Sequence, residues 1–201
     1  MPTFQHGERS LSYLDEGQGP PVVLLHSGGL SSRQWGKLVA RLRTSFEPVT
    51  FGVLHDPLDA EGLADLARID PDGTFFDDAT GGQESWLTRF VSYWNGEGAW
   101  GALPEPSREN FRKVGRKLFQ EVRSLLHDRT PASAYRALQM PTLLLHGTVS
   151  PHAAHRVCQR LAEALPRASR RPIEGAGHMG PISHPAAVNE AIAAHLDARA
   201  L

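Results

Sequence analysis

Residues 175–181 read Gly-Ala-Gly-His-Met-Gly-Pro, a run of small residues around His178 between a predicted strand and a predicted helix. A histidine on such a turn has backbone on both sides and an open approach, which is the placement a general base needs. Its usual partner is a serine or cysteine nucleophile whose proton it takes. The strand-turn-helix motif that presents such a serine, Gly-x-Ser-x-Gly, occurs at none of the fourteen serines, and the single cysteine is Cys158. The chain thus carries a proton acceptor without the standard donor.

Two serines are candidate nucleophiles outside that motif. Gly29-Leu30-Ser31-Ser32-Arg33 supplies half of an elbow between a strand and a helix, but Ser31 and Gln34 have the spacing of a capping box, which already explains the serine. Ser150 stands at a strand end beside Pro151 and scores no better. His152, His155 and Cys158 raise the question of a metal. At a spacing of three on a helix they spread over about 120° and do not converge on one ion, so neither a metal nor a cofactor is expected.

The composition bounds the rest. A chain of 201 residues fits one domain, and at this size roughly 70% of the unfolded surface is buried without disulfide staples. With 21 basic against 22 acidic residues, no global field attracts nucleic acid or an anionic membrane, and neither partner is expected. The stretch Met1 to Ser10 lacks the apolar core of a signal peptide, and one cysteine makes no intrachain disulfide, so the expected location is cytoplasmic. The longest aliphatic runs, Val22 to Leu25 and Leu143 to Leu145, fall far short of the ~20 residues that span a bilayer.

The elements that must position His178 follow from pattern. Pro21 to Gly29 and Pro141 to Gly147 echo each other, each a short aliphatic run closed by histidine and glycine. Runs without alternation suit strands of a parallel sheet covered on both faces, with sites at their carboxyl ends. A helix carrying Trp35, Leu38, Val39 and Leu42 follows the first run, and a helix over Pro151 to Leu165 follows the second. Ser169 to Ile173 is a further strand, Pro185 to Leu196 a closing helix, and Ser10 to Leu14 an edge strand. Strands alternating with helices predict an α/β fold. Between them lie a short helical pattern around Leu58, Leu63 and Leu66 and a turn-rich stretch from Asp70 to Gly82, read as a surface loop. Next come a helix striped with Trp86, Leu87, Phe90, Val91 and Trp94, ended by Asn95-Gly96, and a second helix from about Ser107 to His127. In that second helix Phe111, Val114, Leu118, Val122 and Leu125 are the predicted apolar stripe, with Arg112, Lys113, Arg116 and Lys117 on a solvated face.

With these pieces in place, the chain resembles the α/β-hydrolase superfamily. The histidine loop with its Pro185 helix, the phrase Val91 to Trp100 and the strand ending His26-Ser27-Gly28-Gly29 carry the likeness. The resemblance implies a reduced, mostly parallel sheet with flanking helices. Its core would be discontinuous, residues 1–45 and 141–201, and residues 46–140 would hold a sixth-strand remnant and a helical cap. It implies His178 as base, Glu47 as the acid that orients it, with Asp56 in reserve, and the Ser27, Gly28 and Gly29 backbone as oxyanion loop. No Asp or Glu occurs from Gly147 to Arg156, where the family's other acid position falls. The family's stretch between first helix and sixth strand, on the order of sixty residues at ordinary element lengths, is missing, with the join near Arg43-Thr44-Ser45.

By family the chain would be a serine-type hydrolase of small esters or related carbonyl substrates, and without the elbow its activity is expected to be weak or absent. The alternative is a non-catalytic module binding a ligand or partner, and a third reading is a deletion product with no independent role. The expected ligand is small, apolar and ester-like or carbonyl-bearing. Sheet edges left by the missing strands make a homodimer the expected assembly, if any.

Overall fold

The computed structural model describes residues 3–6, 9–12 and 51–198. The predicted strand over Val22 to Leu25, the helix after Ser31, the loop Ser27 to Gly29 and the segment around Glu47 lie outside the described residues. At the amino end β1 (Thr3–His6) and β2 (Arg9–Ser12) pair antiparallel, Phe4 opposite Leu11, and β2 overlaps the predicted edge strand.

A short 3-10 turn, Phe51–Leu54, leads through a cis Asp56–Pro57 bond into α1 (Ala60–Ala67). Then come α2 (Glu84–Asn95), the single turn α3 (Ala99–Ala102), the long α4 (Glu105–His127) and a 3-10 segment, Ala132–Ala137. The carboxyl part runs β3 (Thr142–Gly147), α5 (His152–Ala164), β4 (Ala168–Ile173), the single turn α6 (Gly180–Ser183) and α7 (Pro185–Asp197). Strands β3 and β4 pair in parallel, from Thr142 opposite Ala168 to Gly147 opposite Ile173, with α5 as the crossover. That register brings both carboxyl ends to one place, where the histidine loop begins.

Three apolar clusters hold these elements. Val53, Leu54 and Leu66 pack with Leu144, Val157 and Leu161, so the 51–67 stretch shares its core with β3 and α5. Trp86, Leu87, Val91, Trp100, Phe111, Leu118 and Phe119 form a second core among α2, α3 and α4. Ile173, Ala176, Val188 and Ala191 seat the histidine loop on α7. Among the described residues no helix is long and apolar enough to cross a membrane.

The structure departs from the sequence pattern in three places. Leu58 lies ahead of α1 and is 70% exposed, because the helix begins only after Asp59, whose side chain accepts from the Gly62 N–H at 2.9 Å. The turn-rich stretch from Asp70 to Gly82 is not all surface. Phe75 within it is fully buried, stacks on Trp86 at 4.9 Å and accepts the Trp86 indole N–H at its carbonyl, 2.9 Å away. On α4 the buried line includes Gly115 and Phe119, while Val114 and Leu125 are half-buried. The backbone of Gly82 presses directly on Gly115, a closeness that no Cβ would permit, and it turns the helix toward that contact. Elsewhere local cues match: α2 stops at Gly96, which adopts φ +96°, a conformation that glycine reaches without cost.

Candidate functional site

The loop that carries His178 is built from β4 outward. After Ile173 the chain turns at Gly175, φ +70°, and the Ala176 N–H donates back to the Ile173 carbonyl at 3.3 Å. The residues after β3 hold one side. Thr148 N–H donates to Ile173 O at 3.1 Å and Val149 N–H to Ala176 O at 3.0 Å, while Gly175 N–H donates to the Thr148 hydroxyl at 2.9 Å. Gly147 must be glycine here, since a Cβ would meet the Ala176 carbonyl head-on.

The last turn of α2 holds the other side. His178 N–H donates to Trp94 O at 3.3 Å, satisfying one of the carbonyls that a helix end leaves unpaired. Met179 N–H donates to Asn95 Oδ1 at 3.2 Å. The loop is therefore gripped between the carboxyl end of β3 and the carboxyl end of α2.

The His178 ring is accessible to solvent and faces the buried Trp94 indole at 4.7 Å with a 37° tilt. Trp94 in turn packs against Tyr93 at 4.8 Å and Phe51 at 5.8 Å. With protein packed densely around an imidazole that still reaches solvent, desolvation holds its pKa below the ordinary 6.5. The ring is neutral at pH 7 and able to accept a proton. Trp94 Nε1, buried beside it, has no hydrogen-bond partner. Among the described residues no hydroxyl or carboxylate hydrogen-bonds the His178 ring.

The other candidates are dispersed. Glu47 and Ser27, Gly28 and Gly29 lie outside the described residues, as does Ser31. Asp56 is exposed, and its backbone carbonyl accepts from Ala132 N–H. Ser150 closes a turn by donating its N–H to Gly147 O at 3.1 Å. His152, His155 and Cys158 go to three different neighbours. His152 reaches Glu61 at 3.7 Å, and His155 Nε2 meets Gly147 O at 3.0 Å. Cys158 Sγ lies 4.0 Å from Leu145 O, its thiol pushed up to about 11 by burial. Among the described residues no group of three His, Cys, Asp or Glu side chains could hold a metal ion.

Two carboxylates that the sequence reading passed over prove to be the buried polar groups of this region. Asp59 lies under α5, with Arg156 Nη2 at 2.7 Å and Arg160 Nε at 3.1 Å. Burial alone would raise the Asp59 carboxyl. The Arg156 hydrogen bond, the Gly62 N–H and the two guanidinium charges outweigh burial and hold it below its ordinary value. Asp65 Oδ2 accepts from Ala153 N–H at 2.8 Å, at the amino end of α5, and from the Tyr93 hydroxyl at 3.3 Å. A carboxylate there complements the positive end of the helix dipole. A pairing of Asp59 with Arg156 and Arg160 could have been suspected from the i, i+4 arginines on one helix face, but nothing local says that an aspartate 97 residues earlier meets them.

The family model described as the alpha/beta hydrolase family matches residues 5–191, and the chain belongs to that family. Among solved structures it is similar to an alpha/beta hydrolase from Sphaerobacter thermophilus DSM 20745, at 19% identity over 90% of this chain and 93% of that one, with a TM-score of 0.56. It is also similar to MenH from S. aureus, at 17% identity over 70% of this chain and 55% of that one, with a TM-score of 0.47. Among curated proteins none matches. The fold is thus a reduced α/β-hydrolase fold with a small parallel sheet and flanking helices.

Proposed function

We propose that this α/β-hydrolase-fold protein follows the serine-hydrolase plan for small esters or related carbonyl substrates, with weak or absent turnover of its own. One observation carries the reading. The accessible, neutral imidazole of His178 is held in a doubly clamped loop, while the sequence contains no Gly-x-Ser-x-Gly to supply an activated hydroxyl.

In the family's scheme a serine attacks the carbonyl, the histidine takes its proton and passes it to the leaving group, and backbone amides receive the developing negative charge. Here His178 is the base, Glu47 its orienting acid and the Ser27, Gly28 and Gly29 backbone the oxyanion loop. Residues 46–140 would hold a sixth-strand remnant and the helical cap over a small apolar ligand. Without the nucleophile, oxyanion stabilisation and binding retain roughly 10³ to 10⁴ over water in a triad enzyme. The proposed location is the cytoplasm, and the proposed assembly, where one forms, is a homodimer through sheet edges.

A second reading, a non-catalytic ligand-binding module, is favoured by the buried, apolar Trp94 face that lies against the imidazole. A neutral imidazole over an aromatic floor, with one ring N–H to donate to a carbonyl and one ring nitrogen to accept from an acid, binds such a ligand without any nucleophile.

The test is a p-nitrophenyl ester assay with a His178→Ala control, run beside fluorophosphonate labelling. The expected result is no labelled serine and hydrolysis little changed by the substitution. Labelling of any serine that disappears in His178→Ala overturns the absence of a nucleophile. A melting transition that rises with small apolar acids or esters in the wild type, and not in His178→Ala, supports the binding module.

A further inference from the structure

We infer that Asn95 is a positioning residue, whose side-chain amide fixes the loop that carries His178. The inference rests on His178 being the working imidazole of the site.

Asn95 is the last residue of α2, and Gly96 ends the helix directly after it. Its side chain uses both ends of the amide. Nδ2 donates to Val91 O one turn back, at 3.1 Å, and Oδ1 accepts from Met179 N–H, at 3.2 Å. The reverse orientation would set two donors against each other and two acceptors against each other, so the orientation is determined by its partners. The Trp94 carbonyl beside it takes the His178 N–H at 3.3 Å. Two consecutive residues of the helix end thus hold two consecutive amides of the loop. The two surfaces meet at ordinary contact: the space a Cβ would take at Gly177 lies 3.5 Å from Asn95 Oδ1 and from Trp94 O.

The two grips differ in kind. A backbone carbonyl is present whatever residue occupies position 94, whereas the second grip exists only because residue 95 places an acceptor on a short side chain. Serine is too short to span the same gap from the same Cα, and leucine has no acceptor. Asn95 is half-buried and touches no charged group in these contacts, so its removal does not strand a charge. What it removes is the restraint on the residue after His178, and with it the fixed direction of the imidazole over Trp94.

Amide hydrogen exchange and a proton NMR titration of the His178 ring test this in Asn95→Ala and Asn95→Asp. In Asn95→Ala the Met179 amide should lose roughly five- to tenfold in protection, the size of one hydrogen bond. The His178 midpoint should rise toward 6.5 as the ring leaves its desolvated seat. In Asn95→Asp the carboxylate still accepts from Met179 N–H, so protection of that amide is retained. Unchanged Met179 exchange and an unchanged His178 midpoint in Asn95→Ala overturn the inference. Loss of Met179 protection in Asn95→Asp overturns it too, even if the alanine variant does not fold. Neither readout requires a substrate, so a failed ester assay leaves this result standing and bears on the proposed function alone.

Discussion

Helices α1 and α2 reach the β3–α5–β4 unit by opposite chemistry. Where α1 meets α5, two carboxylates go under the surface: Asp59 with the guanidinium groups of Arg156 and Arg160, and Asp65 on the amino end of the helix. Where α2 meets the histidine loop, the contacts are neutral, the Trp94 carbonyl and the Asn95 side-chain amide taking the His178 and Met179 N–H groups. The difference suits the imidazole between them. A carboxylate at the second junction would favour the charged ring and raise its pKa. The first junction is anchored by charge, and the second holds its loop through neutral groups alone.

The comparison breaks most readily at Asp59. Asp59→Ala removes the helix cap of α1 and takes the buried carboxylate from Arg156 and Arg160, which keep only Gln159 and Glu163 among the described residues. Loss of one partner from a fully buried ion pair costs about 3 to 5 kcal/mol. Both guanidinium groups here are about a fifth exposed (23% and 21%) and can turn to water, so the expected loss is lower on that account and raised again by the lost cap, about 3 kcal/mol in all. Urea unfolding measures it; a loss under about 1 kcal/mol would show that this junction is no stronger than a surface ion pair.

On the β3 side of the histidine loop Gly147→Ala is the stronger probe. The new methyl would run into the Ala176 carbonyl, forcing β3 and the histidine loop apart at a cost of about 2 kcal/mol, as overpacking against rigid backbone usually does. The same unfolding curves report it, together with lost exchange protection of the Val149 amide, which donates to Ala176 O. Wild-type stability in this variant would mean that the loop is not seated on the end of β3.

Much of this was legible because its cues are local. The run Leu143 to Leu145, the Pro151 and Pro185 helix starts and the Gly96 stop each act within a few residues, and β3, α5, α7 and α2 follow them closely. The histidine loop was legible for the same reason: the turn after β4 is made at Gly175, φ +70°, a local cue in the run of small residues around His178. Contacts made across the fold were not legible. Phe75 is buried within a stretch rich in Asp and Gly because Trp86 stacks on it from another element. Asp59 and Asp65 look like the acidic surface of a short helix until α5 covers them. Asn95 reads as a helix stop, and only the placement of residue 179 shows its second use.

Acid should separate the two junctions without any substitution. Burial first, then the charges of His155 and Arg170, keep His146 below its ordinary value of 6.5 despite a compensating Gly147 hydrogen bond, and desolvation does the same for His178. For such groups the unfolded chain binds more protons than the folded one below pH 6.5. Stability is then full above that value and is lost progressively as the pH falls toward the folded pKa values. Asp59 has the opposite sign. Its folded pKa lies below 3.8, so its contribution is complete above that value and is lost only as the pH falls through it. On acidification the Met179 amide should therefore lose its native chemical shift and protection first, starting near the ordinary histidine value, while the Gly62 amide bound to Asp59 keeps both until the carboxylate range. The His146→Asn variant should delay the first event and leave the second alone. If the two amides report one shared transition, the junctions are not independent, and the contrast between a charged anchor and a neutral seat loses its energetic meaning.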